Sequence, residues 1–254
     1  MSSFALSLFA FACILGCTLI GMVVSARLPA HHLSDGSKDT VKLGTALIAT
    51  MAALVLGLLI ASAKNHYDKM SDELEHISAK ILQLDRVLAA YGPETMETRD
   101  ILRKGVIFAL QQGWPEDKNQ DISEAIRQPR IDLQALQGKL LRLSPRDDVQ
   151  RWGQARATHV VTEIADARWL LAQQTETTSL PMLARVLLLS WLMFLFFSFG
   201  LFAPRNTTVI LVLFFCALSA AGACFLILEL DSPYQGLIKL SSEPLRNALA
   251  HLGK

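Results

Sequence analysis

The sequence predicts an all-α membrane protein with four transmembrane helices and a helical-bundle soluble domain inserted between the second and the third. Hydrophobic residues make up 52% and charged residues 19% of the 254 residues, and the two kinds are segregated along the chain. Four apolar blocks each reach the roughly 20 residues that a helix needs to cross a bilayer. Between the second and third blocks the apolar residues recur at helical spacing, and no period-2 strand pattern appears.

The four predicted spans are residues 4–25, 41–63, 182–203 and 209–230. Residues 1–63 therefore hold the first pair, 64–181 the soluble domain, 182–230 the second pair and 231–254 a C-terminal tail. The few charges in the spans lie near the ends, at Lys42, Arg185 and Glu229, where water is within reach. The first span lacks a basic segment before it and an A-x-A site after it, so we interpret it as a retained helix rather than a signal peptide.

Four spans place both termini and the soluble domain on one side of the bilayer. That side carries more lysine and arginine near the spans than the opposite side does, which favours a cytoplasmic domain. The first span taken alone points the other way, because its nearby positive charge, Arg27, follows it.

Helix signals dominate the soluble domain. Apolar residues recur at spacings of 3 and 4 from Tyr67 to Tyr91, which predicts that the second membrane helix continues into an amphipathic helix ending at Gly92-Pro93. This seam packs either inside one subunit or between subunits. Further helices are predicted over 94–112, around Leu133–Leu143, and from an N-cap at Ser144 to about residue 176. The last of these places Trp152, Val160, Ile164, Ala167 and Leu171 on one face.

The second span carries a stripe of small residues at intervals of four, Ala49, Ala53, Gly57 and Ala61, which is the pattern that lets membrane helices approach closely. The stripe packs either against a helix of the same subunit or in a ring of second helices around a pore, with the adjoining apolar face forming a constriction. Hydroxyl dipoles are available there for selectivity. The candidate pore or helix-packing residues are Gly44, Thr45, Ala49, Thr50, Ala53, Gly57 and Ala61.

Four charged residues are predicted at the membrane interface: Lys64, Arg185, Glu229 and Asp231. Because Lys64, Arg185 and Glu229 should lie at the same bilayer face, we expect Glu229 to pair with Lys64 or Arg185.

Several function classes are disfavoured. Residues 64–181 contain 16 basic and 18 acidic residues, a net charge of −2, so the domain lacks the basic face of a nucleic-acid binder. No catalytic motif is present, and we predict neither an enzyme nor a cofactor. His31, His32, Asp35 and Asp39 cluster in one loop, but adjacent histidines do not converge on a regular element, so we predict no metal site. The four cysteines lie in apolar blocks and fit packing roles.

Several long motifs resemble a family of bacterial membrane proteins labelled bestrophin-like domain. They include Leu28 to Ser34, Ser37 to Gly44 running on to Leu59, Leu84-Asp85-Arg86, Tyr91 to Glu94, and Glu229 to Tyr234 with Gly236. At the end of the second span, Leu56-Gly57, Lys64, Asn65, Tyr67 and Lys69 are similar to the pore helix of bestrophins, which are pentameric anion channels.

The resemblance implies a homo-oligomer, a pentamer if the analogy holds, in a bacterial inner membrane with a cytoplasmic domain. It also implies an ion channel, with chloride or another anion as its substrate and the second helix near the pore. The alternative is a non-conducting scaffold or accessory subunit that binds a protein partner through its helical domain.

Overall fold

The computed structural model describes residues 3–27, 35–114, 133–176, 182–204, 206–231 and 236–253. Within these ranges the chain is all-α and no strand is present. A short 3₁₀ helix, Pro93–Thr95, separates the second and third α-helices. The α-helices are α1 Ser3–Ser25, α2 Asp35–Tyr91, α3 Met96–Gly113, α4 Leu133–Leu141, α5 Asp148–Glu176, α6 Met182–Phe202, α7 Thr207–Leu230 and α8 Glu243–His251.

Four helices in the described part of the chain are long and apolar enough to cross a membrane: α1, α2, α6 and α7. Their bounds agree with the predicted spans to within two residues, except in α2, where the span is part of a longer helix. The agreement follows from the long uninterrupted apolar sequences and from the polar or charged residues at their ends.

The second membrane helix continues without interruption beyond the apolar segment, as the seam predicted. α2 has 57 residues, a length of about 86 Å at the usual rise per residue. It ends at Tyr91, and the next residue, Gly92, has φ 131°. The buried Thr95 hydroxyl contacts the carbonyl oxygens of Leu88 and Gly92, and so satisfies backbone groups exposed at the helix end.

The described residues of Met1–Tyr67 and Thr178–Lys239 form one compact unit, the membrane unit. Its core joins α1, α2, α6 and α7 through side chains such as Ile14, Ala52, Leu192 and Ala217. α1 and α6 are in backbone contact, because a Cβ atom added at Gly200 would lie 2.9 Å from the carbonyl carbon of Thr18. A Cβ atom added at Gly21 would likewise lie 2.9 Å from the backbone nitrogen of Leu201.

The described residues of Asp68–Thr177 and Leu240–Lys254 form a second unit, the helical unit. Here α5 runs antiparallel to α2: the Gln150 side chain donates to the Tyr91 carbonyl at 3.1 Å, and Lys80 pairs with Glu163 at 3.1 Å. The α2 seam is buried inside this chain from Met70 to Tyr91, so the intrasubunit alternative is confirmed.

The described C-terminal residues from Leu240 onward, which were predicted as part of a tail, pack into the helical unit. The Trp114 indole N–H donates to the Leu240 carbonyl at 2.7 Å, and Leu245, Ala248 and Leu252 are buried. The chain after the fourth apolar helix therefore contributes to the core of the helical unit.

Two local predictions in α5 are wrong. The helix begins at Asp148, and its cap is Asp147, whose carboxylate accepts the Gln150 N–H at 2.7 Å; Ser144 is not the cap. Both residues are good cap formers, and the Gln150 side chain favours the later start by accepting the Arg146 N–H. Trp152 is exposed and does not lie on the buried face, because it stands about a quarter turn away from Val160 and about a third of a turn away from Ile164.

Candidate functional site

The membrane part of α2 has a buried face. Thr45, Ala52 and Ala63 are buried, and Ala52 belongs to a core cluster with Leu192 and Phe196 of α6. The Thr45 hydroxyl lies 2.9 Å from the Ser198 hydroxyl, so the two satisfy each other inside the apolar core. Thr45 thus holds α2 against α6, and its hydroxyl is engaged within the subunit.

The opposite face of α2 carries most of the small-residue stripe. Ala53, Gly57 and Ala61 are exposed, whereas Ala49 is half-buried at the edge of the core. A Cβ atom added at Gly57 would meet no atom within 4 Å, and the same holds at Gly44. In the subunit the stripe is therefore an accessible surface, since no other part of the described chain packs closely on Gly57.

Larger side chains flank the stripe on the exposed face. Leu47, Leu54 and Leu58 are 64%, 66% and 61% exposed and follow one another at intervals of seven and four residues. Thr50 is also exposed, and its hydroxyl donates to the Leu47 carbonyl at 2.8 Å. The face therefore combines an apolar row with one hydroxyl that is already hydrogen-bonded to the helix.

The charged residues at the ends of the apolar helices are arranged differently from the prediction. Arg185 pairs with Asp231 at 2.8 Å, so Glu229 does not take Arg185 as its partner. The Glu229 carboxylate is buried and instead accepts the Leu237 N–H at 2.8 Å and the Ile238 N–H at 3.4 Å. The returning backbone supplies the donors that a basic side chain was expected to supply.

The residues that resemble the pore-helix pattern of bestrophins divide between the two faces. Lys64, Asn65 and Lys69 are exposed. Tyr67 is half-buried, and its hydroxyl donates to the Lys239 carbonyl at 3.1 Å. Tyr67 therefore faces the subunit interior, whereas the lysines lie on the accessible surface.

Over the described ranges, no group of three or more metal-binding side chains converges. His31 and His32 of the predicted loop cluster lie outside the described residues. Outside the apolar helices, the groups whose pKa departs from its ordinary value include the Asp85 carboxyl in the helical unit. Burial raises the pKa of Asp85, but hydrogen bonds from Arg99 and from the Gly253 N–H, together with the Arg99 charge, lower that pKa below its ordinary value.

Three of these contacts were not predicted from the sequence: the close approach of Gly21 and Gly200, the backbone hydrogen bonds to Glu229, and the Asp85–Arg99 pair. The signals were present as glycines inside apolar spans and as Asp85 and Gly236 in the family motifs. Each depends on a partner distant in sequence or across a loop, which residue spacing does not identify.

The family model for the Bestrophin-like domain matches residues 12–245. The chain belongs to the Bestrophin-like family. Solved structures of a bacterial bestrophin homologue from Klebsiella pneumoniae share its fold. A point variant of that protein has a TM-score of 0.69 at 13% identity, covering 100% of this chain and 99% of that one. The zinc-phased form has a TM-score of 0.66 at 12% identity, covering 96% of each. A search of the curated proteins finds no match.

Membership in the Bestrophin-like family confirms the resemblance found in the sequence motifs. It also places the apolar helices in a membrane-protein fold. At 12–13% identity the Klebsiella structures support the fold alone.

Proposed function

We propose that this Bestrophin-like protein is an oligomeric ion channel whose pore is surrounded by the α2 helices. The observation that carries the proposal is the accessible stripe of Ala53, Gly57 and Ala61, which nothing in the described chain covers at Gly57. Small-residue stripes stabilise membrane helix pairs by close backbone approach. A neighbouring copy of α2 is the partner that the bestrophin resemblance implies.

The apolar row beside the stripe fits a hydrophobic gate. With Ala53 and Gly57 turned to neighbouring helices, the adjoining Leu47, Leu54 and Leu58 would face the axis of a ring. A ring of leucines constricts a pore and gates it by dewetting. This segment contains no charge, so selectivity is set at its ends, where the exposed Lys64 favours anions such as chloride.

The four apolar helices cross the bacterial inner membrane, and the partners of the chain are lipid and further copies of itself, five in the bestrophin arrangement. Residues 64–181 and both termini lie in the cytoplasm, as the balance of lysine and arginine favours. Conduction requires neither a cofactor nor a catalytic step.

The test replaces Gly57 by leucine and measures the mass of the complex in nanodiscs together with chloride flux in liposomes. We expect the wild type to form a closed ring that conducts chloride, and Gly57→Leu to yield smaller species without flux. The matched control is Gly222→Leu in α7, another glycine with no atom within 4 Å of an added Cβ, which should leave ring and flux unchanged.

A wild-type monomer or dimer would refute the ring. A ring that transports no ion under any gradient would refute conduction, and a ring that passes potassium but not chloride would refute anion selectivity. An intact Gly57→Leu ring would refute the role of the stripe.

A non-conducting scaffold is the second candidate, and the exposed tryptophans of α5 favour it. Trp152 and Trp169 are 66% and 74% exposed and stand about 25 Å apart along the helix. Exposed tryptophans are typical of surfaces that bind a partner protein.

For the scaffold we expect a photo-crosslinking residue placed at Trp169 to form, in cells, one adduct with a chain other than this one. The control is the same residue placed at the exposed Arg103 of α3, which should form none. Adducts with this chain alone would contradict a heterologous partner at that surface.

A further inference from the structure

The chain that follows α7 folds back over a buried carboxylate. Glu229 in the last turn of α7 is 2% exposed, and one of its oxygens, Oε2, is the acceptor for both the Leu237 and the Ile238 N–H. Gly236 has φ 107°, and a Cβ atom added there would lie 2.7 Å from the Glu229 carboxylate carbon. The carboxylate thus occupies the space that any other residue at position 236 would need.

The same segment is attached to α2. The Tyr67 hydroxyl donates to the Lys239 carbonyl at 3.1 Å, and Ile238 packs against a small core of Ala63, Ile227 and Leu230. Residues 236–239, which we name the strap, are therefore fastened to α7 through Glu229 and to α2 through Tyr67. Both attachments lie at the end of the apolar part of each helix.

We propose that the strap fixes the position of α2 against α7 and thereby sets the opening of the pore, with Glu229 and Tyr67 as positioning residues. The gating part of this inference rests on the proposed channel function. Hydrogen bonds from backbone N–H groups to a buried carboxylate are charge-assisted and strong. Separating the two helix ends must break either these bonds or the hydrogen bond from Tyr67 to the Lys239 carbonyl, so the strap favours one spacing of α2 and α7.

The chemistry of the strap distinguishes it from an ordinary ion pair. Its donors are main-chain N–H groups, so its formation depends on the backbone conformation at Gly236 rather than on a basic side chain. The neighbouring ion pair, Arg185 with Asp231, joins α6 to the end of α7 through two side chains. The strap is thus a connection that responds to movement of the α2 end itself.

The test measures backbone hydrogen exchange in nanodiscs for Glu229→Leu, Glu229→Gln and Tyr67→Phe. Glu229→Leu should speed exchange at Leu237 and Ile238 by about tenfold or more, and Glu229→Gln by less, because a neutral amide oxygen remains as acceptor. Both Glu229→Leu and Tyr67→Phe should also speed exchange in α2 over residues 60–67. Glu243→Gln removes an exposed carboxylate in α8 and should change neither region.

Chloride flux in liposomes then tests the link to gating. We expect Tyr67→Phe to change the flux by about fivefold or more while the mass of the complex stays that of the wild type. If exchange rises only at Leu237 and Ile238 and residues 60–67 stay as protected as in the wild type, the strap is a local helix cap and the inference fails. Faster exchange over 60–67 with unchanged flux overturns the gating role.

If the wild type forms no ring or passes no ion, the proposed channel function is refuted, and that result leaves the strap itself undecided. The exchange data would still decide whether the strap holds α2. If Glu229→Leu does not assemble, Tyr67→Phe decides alone, because it removes a single hydroxyl and leaves the buried carboxylate in place.

Discussion

Replacing Gly200 by alanine is expected to destabilise the protein by about 3 kcal/mol or more and to remove most of the monodisperse complex from detergent extracts. The added methyl group would overlap the Thr18 carbonyl of α1, which is backbone and cannot rotate away. The helices must then separate, and every side-chain contact between α1 and α6 weakens with them. The measurement is the midpoint of thermal aggregation followed by size-exclusion chromatography.

The matched control is Gly16→Ala in α1, since a Cβ atom at Gly16 meets no atom within 4 Å. Alanine has the higher helix propensity, so this variant should be neutral or slightly more stable. Gly21→Ala should resemble Gly200→Ala, because its methyl group would overlap the Phe197 carbonyl of α6. The double variant should cost less than the sum, because both changes separate the same pair of helices. A Gly200→Ala protein as stable as the wild type would show that α1 and α6 are not in backbone contact.

The sequence predicted the helices better than the contacts between them. Hydropathy is sufficient to predict the spans, because a helix that crosses a bilayer needs a long uninterrupted apolar segment. The heptad seam was sufficient to predict that α2 continues beyond the apolar segment, because the buried residues from Met70 to Tyr91 recur at one regular helical spacing. Ser144 and Asp147 are both good N-cap residues, so cap preference alone does not decide between them. The hydrogen bonds that Gln150 makes to Asp147 and Arg146 favour the later start.

The candidate site was likewise predicted only in part from the sequence. Spacing places Ala53, Gly57 and Ala61 on one side of α2, but the side that packs against α6 depends on residues such as Leu192 and Phe196, which lie more than a hundred positions away. The environment of Glu229 depends on the backbone path through Gly236, which spacing does not reveal. The sequence therefore predicts which residues share a face, and tertiary packing determines what that face meets.

Replacing Asp85 by alanine is expected to cost about 3–5 kcal/mol, because it leaves the guanidinium of Arg99 largely buried and without its carboxylate. Asp85 is 5% exposed, and its two carboxylate oxygens accept hydrogen bonds from Arg99 Nε at 2.7 Å and Arg99 Nη2 at 2.9 Å. The Gly253 N–H also donates to Asp85 at 3.2 Å, so the C-terminal segment loses an attachment as well. The thermal midpoint should fall by about 10 °C for a chain of this size.

Two controls separate the buried pair from charge in general. Asp100→Ala removes an exposed partner of Lys104 on α3 and should cost less than about 1 kcal/mol. Asp85→Leu combined with Arg99→Leu removes both charges and should be milder than Asp85→Ala alone. A double variant as unstable as the single one would mean that lost packing, and not the loss of the Asp85 charge beside Arg99, causes the destabilisation.

The pH dependence of the Asp85 effect follows from the direction of its pKa shift. The pKa of Asp85 is lowered in the folded state, so the ionised carboxylate contributes stability above its unfolded pKa of about 3.9. That contribution is lost as the pH falls through the lower folded value. The difference in thermal midpoint between the wild type and Asp85→Asn should therefore be constant near neutral pH and should narrow only below about pH 4. A difference that narrows between pH 7 and pH 5 would show that another group, and not the Asp85 carboxylate, controls the stability of the helical unit in that range.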